Sequence, residues 1–451
     1  MTSVRLPPGP RGRWLVGNAL EFAEDPLGFL HGCANRYGDL TRIAKRTYLA
    51  SHPELVRQVL QDRDGLYAKA PPDAKRAGTA AFPTSVMNSE GSDWRSKRQA
   101  LQSCFHATQI RDGVVRTLAA AHSHLESWRA EPANRDVRQD MQALCLHVGG
   151  EVLLDALIED EQAHPFVAAI DAIMGLTHSP VRFPRWVPTP ANLRLRRARA
   201  RLDHHLDRIV AQHRARPEPH RSCLLDALLR SDPGGRSTWL RDEVATMVMS
   251  GLEPMADALT WTLHLLAGHP DAQARIVTEV QACLGAQTPL NADTMTDLHY
   301  AAAVVRESLR LYPPAWMTGR VALDDTQLGD FDVPAGTQVV VSQWVSHRDR
   351  RYFPEPDVFM PERWLPPLRQ DNLPRYAYFP FGAGVRHCIG SALAMAQMTA
   401  VITAIIRAFA LTPVPHAHVK PFPALVLRPL GVRLALTART ATTALVSPSQ
   451  P

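Results

Sequence analysis

Cysteine is scarce in this chain, and its spacing is irregular. The 451 residues contain six cysteines, and none of them forms the C-x-x-C pairs typical of zinc sites or dithiol motifs. They are Cys33, Cys104, Cys145, Cys223, Cys283 and Cys388. The sequence therefore excludes a disulfide-stapled secreted protein. A reducing compartment suits it, so we expect a cytoplasmic protein.

Long apolar runs are also missing at the start of the chain. Met1–Leu6 leads straight into Pro7, which is too little for a signal peptide or a membrane anchor. No Gly/Ser linker, charge block, low-complexity segment or internal repeat divides the chain, and its 37 prolines are scattered through it. We expect one large domain over residues 1–451 with a flexible tail at residues 440–451, and no membrane anchor.

Positive and negative charges nearly balance, because the formal net charge is only +6 over 451 residues. The densest basic run consists of Arg194, Arg196, Arg197, Arg199 and Arg201. Its apolar partners, at spacings of three and four, are Leu195, Ala198, Leu202, Leu206 and Ile209. This pattern predicts an amphipathic helix with a solvated basic face. The alternative is a nucleic-acid surface, but it lacks a recognised motif and interleaved aromatic residues, so we expect no nucleic-acid partner.

Helical patterns dominate the rest of the sequence, and strand patterns are short. The predicted helices are Asp25–Tyr37, Pro53–Leu60, Trp94–Phe105, Val137–Leu157, Pro190–Arg214, Thr238–Ala267, Pro270–Leu284, Ala301–Leu311 and Ser391–Phe409. The predicted strands are Leu40–Ile43 with Tyr48–Ser51, then Thr337–Ser342, and finally Leu425–Leu427 with Val432–Leu436. The sequence thus predicts a mainly α protein with small β-sheets.

One cysteine lies in a glycine-punctuated loop, Phe381–Gly390, directly before the predicted helix Ser391–Phe409. Amide N–H groups of such a loop and the positive end of a helix stabilise a thiolate. Glycines let the backbone fold tightly and come close to a flat ligand. Arg386 and His387 flank Cys388 and are suited to hold an anionic group. A haem whose iron takes a cysteine thiolate as axial ligand needs these features. The alternative is a buried structural cysteine after a turn.

Five residues of this loop match every fixed position of the haem-binding signature of the cytochrome P450 family: Phe381, Gly384, Arg386, Cys388 and Gly390. The chain resembles this family over nearly its whole length, and it is most similar to the bacterial members without an anchor, many of which act in natural-product pathways. The resemblance implies the cytochrome P450 fold, a haem b cofactor and Cys388 as the axial ligand of its iron.

A second match lies in Glu307 and Arg310, three residues apart on a predicted helix ahead of Pro313 and Pro314. Alone this spacing is weak evidence, because such ion pairs are common on solvated helices. A later segment, Phe359–Trp364, resembles the arginine-bearing element of the family. The resemblance implies that Glu307, Arg310 and Arg363 form a buried salt-bridge network that braces the cysteine loop.

Four residues resemble the family's contacts to the haem propionates. Trp94 and Arg98 lie four apart on one face of a predicted helix, and a guanidinium matches the geometry of a carboxylate. The alternative for this pair is a partly buried tryptophan beside a solvated arginine. Arg320, ahead of a strand, and His387 match two further propionate contacts.

The distal helix departs from the family pattern. Members that activate dioxygen have a small residue, a glycine, an acid and then a threonine whose hydroxyl helps in proton delivery. Here the catalytic stretch has Ser250, Gly251 and Glu253, but Pro254 replaces the threonine. We expect the proline ring to disrupt the helix at the carbonyl of Ser250. A tolerated kink without functional effect is the alternative.

Proton delivery would then use Glu253, a water on the freed carbonyl of Ser250, or a hydroxyl of the substrate, and we favour the substrate hydroxyl.

The resemblance also implies which segments face the substrate: Pro71–Ser89, Met174–Phe183, Met247–Glu253 and Ala315–Thr318. The individual residues expected in the pocket are Phe82, Val86, Met87, Met247, Leu252, Ala315, Trp316 and Met317. Their side chains predict a largely apolar pocket.

Taken together, these features predict a monomeric haem-thiolate monooxygenase of secondary metabolism. It would use O2 to hydroxylate, epoxidise or desaturate an apolar polyketide, terpenoid or peptide-like molecule. Electrons would come from a separate ferredoxin or flavodoxin, because no reductase domain follows Pro451. A basic surface around Arg386 and Lys97 would favour an acidic partner.

Two alternatives remain. A protein lacking the threonine could use peroxide, rearrange an oxidised substrate or couple radicals. A non-enzymatic haem-binding or ligand-binding protein could share the fold.

Overall fold

A computed structural model describes residues 5–69, 82–130, 134–156, 187–215, 224–231, 238–284, 289–368 and 373–439. The helices in these ranges are α1 (Ala19–Glu24), α2 (Pro26–Tyr37), α3 (Pro53–Gln61), α4 (Gly91–Gln102), α5 (Ala107–Ala130), α6 (Val137–Leu154), α7 (Pro190–Arg214), α8 (Leu224–Ser231), α9 (Thr238–Ala267), α10 (Pro270–Leu284), α11 (His299–Leu311), α12 (Gln343–Ser346) and α13 (Ser391–Ala408).

Several helices begin where the sequence supplies a capping residue followed by proline. Asp25 accepts a hydrogen bond from the amide of Gly28 at 2.9 Å, and Pro26 opens α2. Thr189 likewise accepts from the amide of Asn192 at 3.1 Å, and α7 begins at the next residue, a proline. The side-chain oxygen satisfies an amide that has no partner within the helix, and the missing N–H of proline is no loss in the first turn.

The strands are short and come from distant parts of the chain. They are β1 (Leu40–Ala44), β2 (Thr47–Ala50), β3 (Tyr67–Ala68), β4 (Arg135–Asp136), β5 (Thr318–Ala322), β6 (Thr326–Leu328), β7 (Phe331–Val333), β8 (Gln338–Val341), β9 (Phe409–Pro413), β10 (Lys420–Pro423), β11 (Leu427–Leu430) and β12 (Arg433–Ala438). The largest sheet has the order β1-β2-β8-β5-β3, in which only β2 and β8 are parallel. The other sheets are β4-β12-β9, β10-β11 and β6-β7.

The chain folds into two compact units. One, here called the sheet unit, contains residues 1–77, 309–360 and 369–388. Its core lies on the five-stranded sheet, where Val339 and Val341 of β8 pack with Val56 and Leu60 of α3. The amphipathic pattern of α3 buries these residues on one face, and this packing fixes the helix beside the sheet.

The other unit, here called the helical unit, contains residues 78–308, 361–368 and 389–451. Helix α9 packs against α6, and α13 packs against α5. In the C-terminal part of α9 the indole of Trp261 is buried, and its Nε1 donates to the carbonyl oxygen of Leu427 at 3.1 Å.

The predicted fold class, mainly α with small sheets, is confirmed, and most predicted elements occur within a few residues of their expected ends. The basic run on α7 is the expected amphipathic face, because Ala198, Leu202, Leu206 and Ile209 are buried. The long helix α5 was not predicted. The expected pairing of Leu425–Leu427 with Val432–Leu436 is wrong, because β12 pairs with β9 and β4 instead.

Two expectations on domain organisation stay predictions. The chain divides into two units, and a single domain is not tested by that division. The expected flexible tail at residues 440–451 lies outside the described residues.

Candidate active site

The cysteine loop of the sheet unit is built on two left-handed glycines, Gly382 with φ +68° and Gly384 with φ +71°. A Cβ at Gly384 would overlap the backbone carbonyl of Leu60 in α3, whereas a Cβ at Gly382 would meet nothing within 4 Å. Gly384 is therefore required both by its φ and by the close approach of α3. The amide of Cys388 closes the loop by donating to the carbonyl oxygen of Phe381 at 2.9 Å, and Cys388 is exposed.

Three further predicted haem contacts lie in this unit. Arg386 is half-buried and is the last residue of the short turn Gly384–Arg386, and the next residue, His387, is exposed. Arg320 is buried on β5, where its Nη1 donates to the carbonyl oxygen of Gly319 at 2.8 Å. The predicted signature thus places an accessible sulfur and basic side chains in one unit.

Arg310 is buried and acts as a hub of backbone contacts in the sheet unit. Its guanidinium donates to the carbonyl oxygens of His347 at 2.9 Å, Pro356 at 2.5 Å and Val358 at 3.1 Å. Five donors in a rigid fork suit this role, which a lysine could not fill. The contacts tie the end of α11 to the segment that leads toward the cysteine loop.

His347 also supports the backbone ahead of the cysteine loop, and the sequence pattern did not indicate this role. Its Nε2 accepts a hydrogen bond from the amide of Phe379 at 2.9 Å, two residues before Phe381. Burial, with the nearby charges of Arg310 and Arg348, lowers the pKa of His347 well below its usual value. The ring is therefore neutral and can keep accepting at Nε2. Its position in a run of charged residues gave no periodic signal.

The predicted partner of the network, Arg363, pairs with Glu307 in the helical unit. Nε of Arg363 lies 3.0 Å from Oε1 of Glu307, and Nε1 of Trp364 donates to Oε2 at 2.9 Å. Glu307 is fully buried, and Arg363 is 5% exposed. The structure thus contains an ion pair between Glu307 and Arg363, while the wider network with Arg310 and its bracing role stay predictions.

Helix α4 of the helical unit carries Trp94 and Arg98, which are both half-buried and one turn apart. Lys97, on the same helix, was expected on a basic docking surface, and this is wrong. Its Nζ donates to the carbonyl oxygen of Thr84 at 2.7 Å, to Ser89 at 2.9 Å and to Asp93 at 2.9 Å. Only 15% of its side chain is exposed. Lys97 therefore holds the segment before α4 in place, and its ammonium group is not presented to a partner protein.

Helix α9 has one open stretch in an otherwise buried face. Ser250 and Gly251 are exposed and Met249 and Pro254 are half-buried, while residues 242–248 and 255–263 are buried. Helix α9 continues through Pro254. Proline has no N–H to donate to the carbonyl of Ser250, so that helical hydrogen bond is lost, and a kink at this point stays a prediction. The hydroxyl of Ser250 donates to the carbonyl oxygen of Met247 at 3.1 Å. This open stretch, here called the gap, is where a ligand beside the helix would contact it.

Glu253 is fully buried, unlike Ser250 and Gly251 at the gap, and hydrogen-bond donors surround its carboxylate. Its Oε1 accepts from Gln142 at 2.8 Å, and its Oε2 accepts from Arg138 at 2.9 Å and Arg428 at 3.2 Å. Sequence reasoning missed these three partners, since they come from α6 and β11 and carry no local pattern. The contacts hold the carboxylate in a fixed place.

One turn further along α9, Asp257 shares Arg138 with Glu253. Nε of Arg138 lies 2.9 Å from Oδ1 of Asp257, and burial raises the pKa of Asp257 to about 7 against the opposing effect of Arg138. The sequence offered one signal for this cluster, namely two acids four residues apart on a buried helix. Buried acids require partners, so this spacing indicates a cation nearby.

The predicted pocket residues divide between buried and open positions. Phe82, Met247 and Leu252 are buried in the helical unit, Val86 is half-buried, and Met87 is 44% exposed. In the sheet unit Trp316 is buried, its carbonyl oxygen accepting from Ser342, while Ala315 and Met317 are exposed. The expected segments Met174–Phe183 and 71–81 lie outside the described residues.

The residues of each unit fit a haem. The sheet unit offers an exposed thiol in a loop that glycine holds open, and the helical unit offers the gap on α9 and the guanidinium of Arg98. A family model described as Cytochrome P450 matches residues 7–436. The chain belongs to the cytochrome P450 family. The cofactor of this P450 is therefore a cysteine-ligated haem.

Curated P450 relatives align with nearly the full chain. Cyclooctat-9-en-7-ol 5-monooxygenase of Streptomyces melanosporofaciens is 34% identical over 89% of this chain and 88% of its own length. Cyclooctatin synthase of the same organism is 32% identical, covering 92% of each chain. Pentalenene oxygenase of Streptomyces avermitilis is 31% identical over 94% of this chain and 96% of its own. This P450 is a monooxygenase, and these relatives act on terpenoid natural products.

The fold has a solved counterpart in the cyanobacterial P450 CYP120A1, in a structure with retinoic acid bound. Its TM-score is 0.84 at 24% identity, with 97% of this chain and all of that chain covered. Among the described residues one helix, Ser391–Ala408, is long and apolar enough to cross a membrane, with a mean hydropathy of 1.4. It is 72% buried inside the protein, as a core helix would be.

Proposed function

We propose that this P450 oxidises an apolar terpenoid by hydroxylation, epoxidation or desaturation, with Cys388 as the thiolate ligand of the haem iron. The observation that carries the assignment of Cys388 is its exposure at the end of a loop that only glycine at position 384 allows. The terpenoid class is supported by the three Streptomyces relatives and by the apolar residues Phe82, Met247 and Leu252.

The haem supplies O2 activation when it is bound, and the residues of the chain orient and shield the reaction. Arg98, Arg320 and His387 would hold the propionates, because guanidinium and imidazolium groups pair with carboxylates. Arg310 and His347 fix the backbone ahead of the cysteine loop. The open stretch Met249–Gly251 leaves room beside the distal helix, and its buried neighbours exclude water.

The test of the ligand assignment is the absorbance of the reduced protein with carbon monoxide. The wild type is expected to absorb near the long wavelength typical of thiolate ligation, and Cys388→Ser is expected to lose this band. Cys283→Ser, at another exposed cysteine, is the matched control and should keep it. Persistence of the thiolate spectrum in Cys388→Ser would assign the ligand to a different cysteine.

Substrate class is tested by titrating the haem-loaded protein with polycyclic terpene hydrocarbons and alcohols, macrolactones and small cyclic peptides. Displacement of the iron-bound water, read by absorbance, is expected with the terpenoids, and mass spectrometry of turnover mixtures should show oxidised terpenoid. Spectral shifts and products with macrolactones or peptides alone would contradict the terpenoid class.

The electron donor is proposed to be a separate ferredoxin or flavodoxin that docks at a basic cleft of the sheet unit. The cleft has a volume of about 410 Å³. Its lining includes His52, Arg57, Arg63 and Arg375, and also Glu54, which pairs with Arg57 and leaves Arg63 and Arg375 as the positive charges. It adjoins α3, whose Leu60 contacts the cysteine loop at Gly384. Arg63 and Arg375 are exposed, and positive charge here would steer an acidic partner.

Charge reversal tests this docking site. Arg63→Glu and Arg375→Glu should slow reduction by a ferredoxin about tenfold or more at low salt, with the difference shrinking as salt is added. Arg197→Glu, at an exposed arginine of α7 in the helical unit, makes the same change in net charge and should have little effect. Equal slowing by all three variants would place docking elsewhere.

Pro254 favours a second candidate function, an enzyme driven by peroxide. A proline at the position of the distal threonine removes a hydroxyl from the open stretch of α9. Substrate oxidation with hydrogen peroxide but not with ferredoxin, its reductase and O2 would support it. Coupled turnover with the ferredoxin system would support the first proposal.

A further inference from the structure

Four buried polar atoms without a hydrogen-bond partner lie on helix α9, within the part of the chain that the structure describes. One is Oδ2 of Asp257, in the cluster with Arg138 described above, and the other three are Nε1 of Trp239, Oε1 of Glu243 and Oγ1 of Thr246. Glu243 is fully buried and Thr246 is 4% exposed. Buried polar groups in folded proteins are nearly always hydrogen-bonded, so these three exceptions in the first half of one helix require an explanation.

The spacing places these atoms on one face. The residues are four and three apart, and Ser250 follows four residues later, so the four side chains lie along one stripe of the helix. The stripe ends at the open stretch around Ser250 and Gly251. It therefore runs from buried atoms without partners to the gap described above.

Glu243 is held in place by its other oxygen. Oε2 accepts a hydrogen bond from the amide of Val86 at 2.7 Å. The same segment is fixed by Thr84, whose amide and hydroxyl both donate to Oδ2 of Asp242, at 2.9 and 2.7 Å. Arg199 adds a contact over the ring of Phe82, 4.7 Å from its centroid. The carboxylate thus has one oxygen committed to the protein and one available.

The chemistry of the three groups favours a ligand group that both donates and accepts, and a hydroxyl is the simplest neutral one. The indole N–H of Trp239 only donates, the carboxylate of Glu243 accepts when ionised, and the hydroxyl of Thr246 does both. A carbonyl could only accept, and an ammonium could only donate. A hydroxyl does both, and it can bridge neighbours on a helix face that are roughly 5–6 Å apart.

We propose that Trp239, Glu243 and Thr246 form a subsite that binds an alcohol group of the substrate. This inference rests on the proposed function and names its substrate class more closely, as a hydroxylated terpenoid. Seven residues separate Glu243 from Ser250, which is roughly 10 Å at 1.5 Å per residue. The anchored hydroxyl would lie about that far along the helix from the gap, so the anchor would select which part of the substrate reaches the gap.

Burial raises the pKa of Glu243 to about 7, against the amide of Val86 and the charge of Lys97, which both lower it. A neutral hydroxyl suits a carboxyl group in this surrounding better than a fully charged ligand does.

The experiment compares ligand pairs that differ only in a hydroxyl. Dissociation constants for the haem-loaded full chain are measured by difference absorbance and by calorimetry, for cedrol and cedrane and for dodecan-1-ol and dodecane. The measured quantity is the preference, defined as the dissociation constant of the hydrocarbon divided by that of its alcohol. We expect the wild type to prefer both alcohols.

Thr246→Val removes one partnerless hydroxyl at nearly constant shape, so the protein should fold normally. It is expected to lower the preference about three- to tenfold, as the loss of one hydrogen bond does. Glu243→Gln and Trp239→Phe are expected to lower it by a similar factor. Thr260→Val is the control on the same helix, because the hydroxyl of Thr260 already donates to the carbonyl oxygen of Ala256 at 2.7 Å.

The outcomes separate the two proposals. No preference for alcohols in the wild type, or an equal preference in Thr246→Val, Glu243→Gln and wild type, would overturn the subsite and leave these atoms to ordered water. Tight binding of dodecan-1-ol that depends on the three residues, with no binding of cedrol or cedrane, would uphold the subsite and contradict the terpenoid proposal.

Discussion

At the scale of single residues, position 254 sets this P450 apart from the pattern that the sequence resembles. The helix continues through Pro254, so the proline is accommodated and the loss is confined to one hydroxyl and one N–H. The carboxylate of the neighbouring acid, Glu253, already has hydrogen-bond donors, because Arg138, Gln142 and Arg428 all donate to it. A hydroxyl of the substrate near Ser250 remains our preferred source of the proton.

This preference predicts the ranking of two perturbations. Glu253→Gln keeps the shape and most of the hydrogen bonds, and Asp257 still pairs with Arg138. We expect it to lower the product formed per reductant consumed less than removal of the substrate hydroxyl nearest the oxidised carbon does. Full coupling with an analogue that lacks that hydroxyl, together with uncoupling in Glu253→Gln, would assign proton delivery to Glu253.

Gly382 and Gly384 offer a matched pair for testing the cysteine loop. Both have positive φ, so an alanine strains either backbone by about 1–2 kcal/mol. Only Gly384 faces the carbonyl of Leu60. Gly384→Ala should therefore cost about 1–3 kcal/mol more than Gly382→Ala and release haem more readily, as seen by thermal unfolding and haem transfer to apomyoglobin. Equal losses would show that α3 does not constrain the loop.

At the scale of elements, two separate devices fix the structure around the site. Arg310 and His347 tie α11 to the backbone before the cysteine loop within the sheet unit. Glu307, Arg363 and Trp364 form a second buried cluster in the helical unit. In the first device one guanidinium donates to several carbonyl oxygens, and in the second one carboxylate accepts from two side chains; several hydrogen bonds to one charged group make a buried charge tolerable.

Breaking the second cluster should be severe. Glu307→Ala or Arg363→Ala strands the opposite charge, and we expect a loss of about 3–5 kcal/mol and poor retention of haem. Arg306→Ala, at an exposed position of the same helix, is the control and should stay within about 0.5 kcal/mol. Unchanged denaturant midpoints in both cluster variants would mean that the pair contributes nothing to folding.

At the scale of the whole molecule, buried acids give a pH dependence that opposes ordinary acid unfolding. Burial raises the pKa of both Asp257 and Glu243 to about 7. Between about pH 4 and 7 the folded protein then holds more protons than the unfolded chain, so its stability falls as the pH rises through this window. Above a pH of about 7 both acids are ionised in the folded protein, and the full free-energy cost of burying their charges lowers its stability.

Asp257→Asn should remove part of this cost. The amide can still accept from Arg138, and Glu253 still neutralises that arginine. We expect the variant to be on the order of 1–3 kcal/mol more stable than the wild type at pH 8, with little difference at pH 5, measured by urea unfolding. Asp324→Asn, at an exposed position, should leave the profile unchanged. Lower stability of Asp257→Asn at pH 8 would show that the ionised pair with Arg138 is worth more than its burial costs.

The sequence by itself determined what depends on local pattern. Periodic apolar residues located α7, α9 and α10 to the residue, because burial of one helix face follows from spacing alone. The loop signature singled out Cys388, since glycines, a basic pair and a following helix are all local features.

Only the tertiary structure decided what depends on contacts between distant segments. Lys97 carries the charge expected of a docking residue, yet its partners Thr84, Ser89 and Asp93 take up its three donors. Strand β12 pairs with β9 rather than with its near neighbour in sequence, since strand pairing is set by packing across the sheet. The subsite on α9 could not be read from the sequence either, because a buried polar atom is noticed only when its surroundings show that nothing satisfies it.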